Sequence, residues 1–179
     1  MNPRAYCREH GYPRAVALTY SFDPLFFERI VLRDLWAGGT TDITVIGDRN
    51  ELQEVVERCA GQLIYLGKKY LVAPAETAGA FHPKLLLRVG PTGAVLLAGS
   101  GNLTFGGWGA NHELSIALEL KADNPESAAL VNYLLDSISR YVANDAVHAS
   151  LARLRDYPWL SIEPSEPSQG IFLTKRHHC

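Results

Sequence analysis

Cysteine is scarce in this chain. Cys7, Cys59 and Cys179 are odd in number and far apart, which excludes a disulfide framework, and their spacing fits no zinc-ligand pattern. Ordinary thiols of a reducing compartment are expected. An excess of charge of either sign is also missing. Seventeen Lys and Arg stand against nineteen Asp and Glu, a net charge of −2, so a polyanion would have to be held by a local patch and not by the whole surface. No uncharged apolar run is long enough to span a bilayer, and residues 1–11 are polar and charged rather than signal-like. These absences predict a cytoplasmic protein with no membrane partner.

The chain has length and apolar content enough for one ordinary domain. Its 179 residues are 47% hydrophobic and 20% charged, values that bury a core without staples. Met1–Pro13 is expected to be a solvated arm, with Arg4 and Arg8 among its charges. Ala15–Tyr20 is a short β-leaning run. Asp23 and Pro24 form a helix start, followed by Phe27, Ile30, Val31 and Leu35 at helical spacing and ended by Gly38-Gly39. Thr41–Gly47 is a second strand. Asn50–Ala60 reads as an amphipathic helix, with Leu52, Val55, Val56 and Cys59 on its apolar side.

Leu63–Leu66 and Tyr70–Ala73 are strand candidates around the polar turn at Lys68-Lys69. Two apolar runs, Leu85–Val89 and Ala94–Ala98, flank Gly90-Pro91-Thr92-Gly93 and predict a hairpin. Glu113–Leu120 adds a strand, Asn124-Pro125 opens a long helix, and Val147–Arg155 gives a short one. The alternation β-α-β-α-β-β predicts an α/β layered domain with a mixed sheet. A domain over residues 1–156 is expected, followed by a Pro/Ser-rich linker or tail over 157–179.

Chemistry concentrates between Phe81 and Glu113. His82 and Lys84 are two residues apart, so on an extended chain they share a face. The second hairpin strand ends in Gly99-Ser100-Gly101-Asn102, which returns Ser100 and Asn102 beside the start of the first. A histidine, a fixed cation and two neutral donors suit phosphoryl transfer through a covalent enzyme intermediate. Arg88 alternates with Lys84 and Leu86, so it either shares that face or is a solvated arginine. Trp108 is expected to pack or to form a rim, and Thr104 to cap the segment after Asn102.

The motif His82-x-Lys84 followed by Gly99-Ser100-Gly101-Asn102 resembles the phospholipase D superfamily. Many members carry an acidic residue five positions after the lysine. Here that position is Val89. The pattern Asn102-Leu103-Thr104, Gly107-Trp108-Gly109 and His112-Glu113 is similar to the branch typified by tyrosyl-DNA phosphodiesterase, and to the bacterial nucleases and restriction-type endonucleases of the superfamily. The likeness is specific over residues 81–120. It implies a phospholipase D-like mixed β-sheet flanked by helices on both faces.

The resemblance also implies roles. His82 would be the nucleophile or the general acid of a metal-independent phosphodiesterase, needing no cofactor. Lys84 and Asn102 would bind the non-bridging phosphate oxygens, with Ser100 in support. Glu113 matches a carboxylate that hydrogen-bonds an imidazole. The implied substrate is nucleic acid, DNA ahead of RNA, and a bacterial defence setting fits that branch.

Family members use two H-x-K motifs, and this chain has one, since His10, His112 and His148 lack a lysine two residues on. Either a homodimer completes the site, or the chain is half of a longer two-motif protein. Two other readings stay open at this point, a phospholipid hydrolase with the same chemistry and a non-catalytic nucleic-acid-binding or assembly half-domain.

Overall fold

The apolar run Arg14–Thr19 (β1) lies near the middle of a six-stranded mixed sheet. The structure, a computed structural model, describes residues 2–161. The other strands are Asp42–Gly47 (β2), Leu71–Pro74 (β3), Leu85–Gly90 (β4), Gly93–Gly99 (β5) and Ser115–Lys121 (β6). Their order across the sheet is β3-β2-β1-β4-β5-β6. β1, β2 and β3 are parallel, while β4, β5 and β6 join as antiparallel neighbours. This is the expected α/β fold with a mixed sheet.

Helices cover both faces because each strand alternates between two apolar cores. Val16, Leu18, Leu87, Val89, Ala94 and Leu96 face one core. It is roofed by Pro125–Ser139 (the fifth helix) and Asp145–Leu154 (the sixth). Ala15, Ala17, Leu86, Val95 and Leu97 face the other core, which packs against the N-terminal helices. Those helices are Pro3–Cys7 (α1), Pro24–Phe26 (α2), Leu32–Ala37 (α3) and Arg49–Cys59 (α4), so Pro125–Ser139 and Asp145–Leu154 are α5 and α6. Asp23, Asp48, Asn124 and Asn144 cap α2, α4, α5 and α6, each accepting a backbone N–H of the first turn.

Four expectations need correction. The residues at 1–13 are not a solvated arm where described. Cys7 is fully buried, and Arg4 and Arg8 reach the buried Asp34 carboxylate at 2.6 and 2.7 Å. Burial works against that carboxylate, yet the two guanidinium bonds hold its pKa below the ordinary value. Leu63–Leu66 is not a strand. Phe27–Val31, between α2 and α3, is wound as a π-helix and carries the buried Glu28. Its carboxylate accepts the backbone N–H groups of Ile64, Tyr65 and Leu66 at 2.9, 2.9 and 3.1 Å. A side chain thereby takes the donors that a sheet neighbour would have used.

Arg88 is neither catalytic nor solvated. It is fully buried and donates to the carbonyls of Tyr6, Glu9 and Gly38 and to Thr40 Oγ1. The packed body also runs past residue 156, since Trp159 and Leu160 are buried and the Trp159 indole donates to the Gly90 carbonyl at 2.9 Å. Of the expected tail, residues 162–179 lie outside the described residues.

Candidate active site

Four strand termini meet at one end of the sheet. Antiparallel pairing sets Leu85 opposite both Leu18 and Ala98, and Gly99 opposite Ser115. The segment before β4 therefore lies between the end of β1 and the end of β5. It carries His82 and Lys84. Phe81, just upstream, is buried, and its N–H donates to Asp48 Oδ2 at 2.8 Å. Because Asp48 also caps α4, one carboxylate ties that helix to the approach of His82.

His82 is exposed, and Lys84 curls back to it. The Lys84 Nζ lies 2.7 Å from His82 Nδ1 and donates to the His82 carbonyl at 2.9 Å. Tyr20, at the end of β1, stacks on the imidazole with centroids 4.8 Å apart, and Lys84 Nζ lies 5.7 Å from the same ring. Partial burial holds the Lys84 ammonium below its usual pKa, and the Glu113 carboxylate opposes that shift. The cation and the carboxylate are thus close enough to feel one another.

Asn102 is held by the backbone that leaves β1. Its Oδ1 accepts the Ser21 N–H at 3.2 Å. That bond fixes the amide orientation and leaves Nδ2 without a protein partner among the described residues. Thr19 supports the arrangement from beneath. Fully buried, its Oγ1 donates to the Ser21 carbonyl at 2.6 Å and accepts the Leu103 N–H at 2.9 Å. Ser21 Oγ in turn donates to Glu51 at 2.9 Å.

Two glycines make this packing possible. A Cβ on Gly107 would come within 2.3 Å of the Asn102 carbonyl oxygen, and one on Gly101 within 2.3 Å of the Gly107 carbonyl oxygen. Residues 106–110 form a π-helical turn against this loop. Thr104 Oγ1 accepts the Gly107 N–H at 3.1 Å, the expected capping contact, and Trp108 packs half-buried against the core.

Ser100 and Glu113 form a separate pair. Ser100 Oγ donates to Glu113 Oε2 at 2.5 Å and accepts the Leu114 N–H at 3.0 Å, and Asn111 Nδ2 lies 3.4 Å from Glu113 Oε1. Glu113 therefore bonds to Ser100 and not to the imidazole of its own chain. The five expected residues share one sheet end, but they divide into His82 with Lys84, Asn102 on the β1 loop, and Ser100 with Glu113. The cavity beside Lys84, Gly99 and Gly107 holds only about 40 Å³.

Sequence reasoning passed over Thr19, Tyr20, Ser21, Asp48 and Glu51. The usable signal was topological: β1 and β2 are parallel, so Thr19-Tyr20-Ser21 and Asp48 leave the sheet at the same end as Asn102. Among the described residues no cluster of His, Cys, Asp and Glu fits a metal ion, and no helix is long and apolar enough to cross a membrane.

No protein-family profile matches the chain, and no curated protein is similar enough to match it. Solved structures do. NucT from Helicobacter pylori superposes with a TM-score of 0.54 at 15% identity, over 80% of this chain and 89% of that one. A yeast tyrosyl-DNA phosphodiesterase mutant superposes with a TM-score of 0.50 at 15% identity, over 79% of this chain. This chain spans about a third of the yeast enzyme, 34% of its length. The likeness shows the fold: this chain shares with both structures an α/β arrangement, here a six-stranded mixed sheet with helices on both faces.

Proposed function

We propose that the chain is a phosphodiesterase acting on nucleic acid, DNA in preference to RNA, through a phosphohistidine intermediate. The observation that carries this reading is the placement of His82, Lys84 and Asn102 at one sheet end, with the Asn102 Nδ2 without a partner among the described residues. The fold shared with a tyrosyl-DNA phosphodiesterase and with NucT supports the general class.

In the first step a lone pair of the His82 imidazole forms a P–N bond while the bond from phosphorus to the leaving oxygen breaks. That oxygen takes its proton from an imidazole on the opposite side of the phosphorus. In the second step water attacks phosphorus, the same opposite imidazole accepts its proton, and the P–N bond breaks. Lys84 and Asn102 hold the non-bridging oxygens, where charge is stabilised in both transition states. Ser100 and Glu113 stiffen the rim on the β5–β6 side. The opposite imidazole is His82 of a second copy, because the described part of one chain carries a single His-x-Lys pair.

The test is cleavage of DNA and turnover of phospholipid, assayed in parallel with EDTA present. DNA cleavage that persists in EDTA and disappears in His82→Ala is expected, with an acid-labile phosphoryl adduct on the wild-type chain. Lipid turnover alone, DNA binding without cleavage, or undiminished cleavage by His82→Ala would each overturn the proposal.

A further inference from the structure

Phe105 is an aromatic ring in the wrong place for a core. It is 65% exposed, although its neighbours hold it firmly. Thr104 on one side donates its N–H to the Asn102 carbonyl at 2.8 Å, and on the other Gly107 and Trp108 donate theirs to the Thr104 hydroxyl and carbonyl at 3.1 Å. The ring meets Phe26 edge-on, with centroids 6.1 Å apart and planes at 79°. One edge is thus anchored to the start of the helix after β1. Phe105 is three residues from Asn102, so the two Cα atoms are at most about 10 Å apart.

Beyond Phe26 the same helix, Pro24 through Ala37, carries Arg29 and Arg33, both exposed and four residues apart. They lie about 4 and about 10 Å further along the helix than Phe26. Neither forms an ion pair among the described residues. The acids of this helix are withdrawn from its surface: Glu28 and Asp34 are buried and bonded, and Asp23 accepts the Phe26 N–H. Near the helix end Tyr65 meets Trp36 with centroids 5.0 Å apart, and the Tyr65 carbonyl accepts the N–H groups of Lys68 and Lys69, two more exposed cations. A chain of net charge −2 therefore carries a local basic track that starts beside an exposed ring.

We propose that Phe105 is a stacking platform for an unpaired base of the strand whose phosphate is held by Lys84 and Asn102, and that this strand continues along Arg29 and Arg33. The inference rests on the proposed phosphodiesterase reading and narrows its substrate to single-stranded nucleic acid. Aromatic rings interleaved with cations are the chemistry that binds a single strand, since every base offers a π-face and every phosphate a charge. In a duplex the bases are stacked on one another, so none is free to lie on Phe105. The ring is fixed before the strand arrives, so little ordering cost falls on binding.

The experiment measures binding of a labelled oligothymidylate by fluorescence anisotropy, with the full chain carrying His82→Ala and with EDTA present, so that nothing is cut. Phe105→Ala in that background is expected to weaken binding about tenfold, and Phe105→Trp to restore it. The loss should vanish on the same strand without bases. Arg29→Gln with Arg33→Gln should weaken both strands and flatten the slope of log K against log salt by about 1.4, two phosphate contacts at about 0.7 each. Lys121→Glu, at the far end of the outer strand, should change nothing. No binding to the strand, a duplex bound as tightly as the single strand, or an equal loss from Phe105→Ala on the strand without bases would each overturn the platform. Activity separates the two proposals. Strand binding that behaves as expected in a chain whose wild type cleaves no phosphodiester leaves the platform standing and sinks the function; cleavage that needs His82 but is indifferent to Phe105 does the reverse.

Discussion

Thr19 lies beneath the site and touches no substrate, yet it should control the rate. Its hydroxyl closes a small network: it donates to the Ser21 carbonyl and accepts the Leu103 N–H, on either side of the bond from Ser21 N–H to Asn102 Oδ1. Thr19→Val keeps the shape and removes both bonds. Leu103 is 4% exposed, so its N–H finds no ready replacement in water. An orphaned buried donor costs about 1–3 kcal/mol, and the lost bond to the Ser21 carbonyl adds about 1 kcal/mol. A loss of about 2–4 kcal/mol leaves the chain folded at 25 °C if its stability is in the ordinary range of about 5–15 kcal/mol.

The effect on rate is separable from that loss. If the loop carrying Asn102 shifts by about 1 Å, the amide no longer meets the phosphate oxygen, and kcat falls on the order of a hundredfold. KM should change much less, because Lys84 still holds the ground-state phosphate. Thr19→Ser keeps the hydroxyl and loses one buried methyl, a cost of about 1 kcal/mol. It should retain a rate within a few-fold of wild type. The assay is initial rates on a defined DNA substrate, with urea melts of all three proteins. If the valine variant is fully active, or if the serine variant is as slow as the valine, the network does not position Asn102.

Other perturbations follow from the same geometry. The Lys84 ammonium sits below its usual pKa of 10.5 because of burial, and Glu113 opposes the shift. Activity should therefore fall as pH rises through the Lys84 pKa, and Glu113→Gln should move that alkaline limb to lower pH, as a pH–rate profile would read; an unmoved or upward-shifted limb counts against the coupling. Gly107→Ala drives a Cβ into the Asn102 backbone, whereas a Cβ on Gly109 meets nothing within 4 Å. DNA cleavage should be lost in the first variant and kept in Gly109→Ala, and equal rates in the two would show that the close approach is not needed. Arg88→Met removes the cation that binds three carbonyls around the N-terminal helix. A urea melt should show a loss of about 3 kcal/mol, and the buried Cys7 thiol should become reactive to a disulfide reagent; an unreactive thiol would show that α1 stays docked without the guanidinium.

The parts legible in the sequence were those decided by neighbours along the chain. The hairpin from Leu85 to Gly99, the caps at Asp23 and Asn124, and the return of Asn102 toward His82 all follow from alternation and turn chemistry. The parts that escaped were decided at a distance. Leu63–Leu66 has strand composition, but the Glu28 carboxylate, 36 to 38 residues upstream, takes three of its N–H groups. Arg4 and Arg8 have the look of solvated charges until Asp34 supplies their partner. Arg88 shares the alternation of Lys84, but by that point β4 has run under the N-terminal helix, where waiting carbonyls turn an expected surface cation into a core one.

The same reasoning bears on the missing acidic residue. Val89 occupies the position five residues after Lys84, and it is fully buried in the core under α5 and α6. Five residues of extended chain span about 16 Å, so this side chain lies toward the far end of β4 from His82. A carboxylate there would be an unpaired charge in an apolar core, costing several kcal/mol, and it could not touch a phosphate at the other end of the strand. The absence of the acid therefore removes nothing from the constellation of His82, Lys84 and Asn102. What limits that constellation is the count of imidazoles. One chain presents its imidazole, cation and amide at one end of the sheet. If the proposed in-line displacement holds, its second imidazole has to come from outside the described part of the chain and face His82 across the phosphorus.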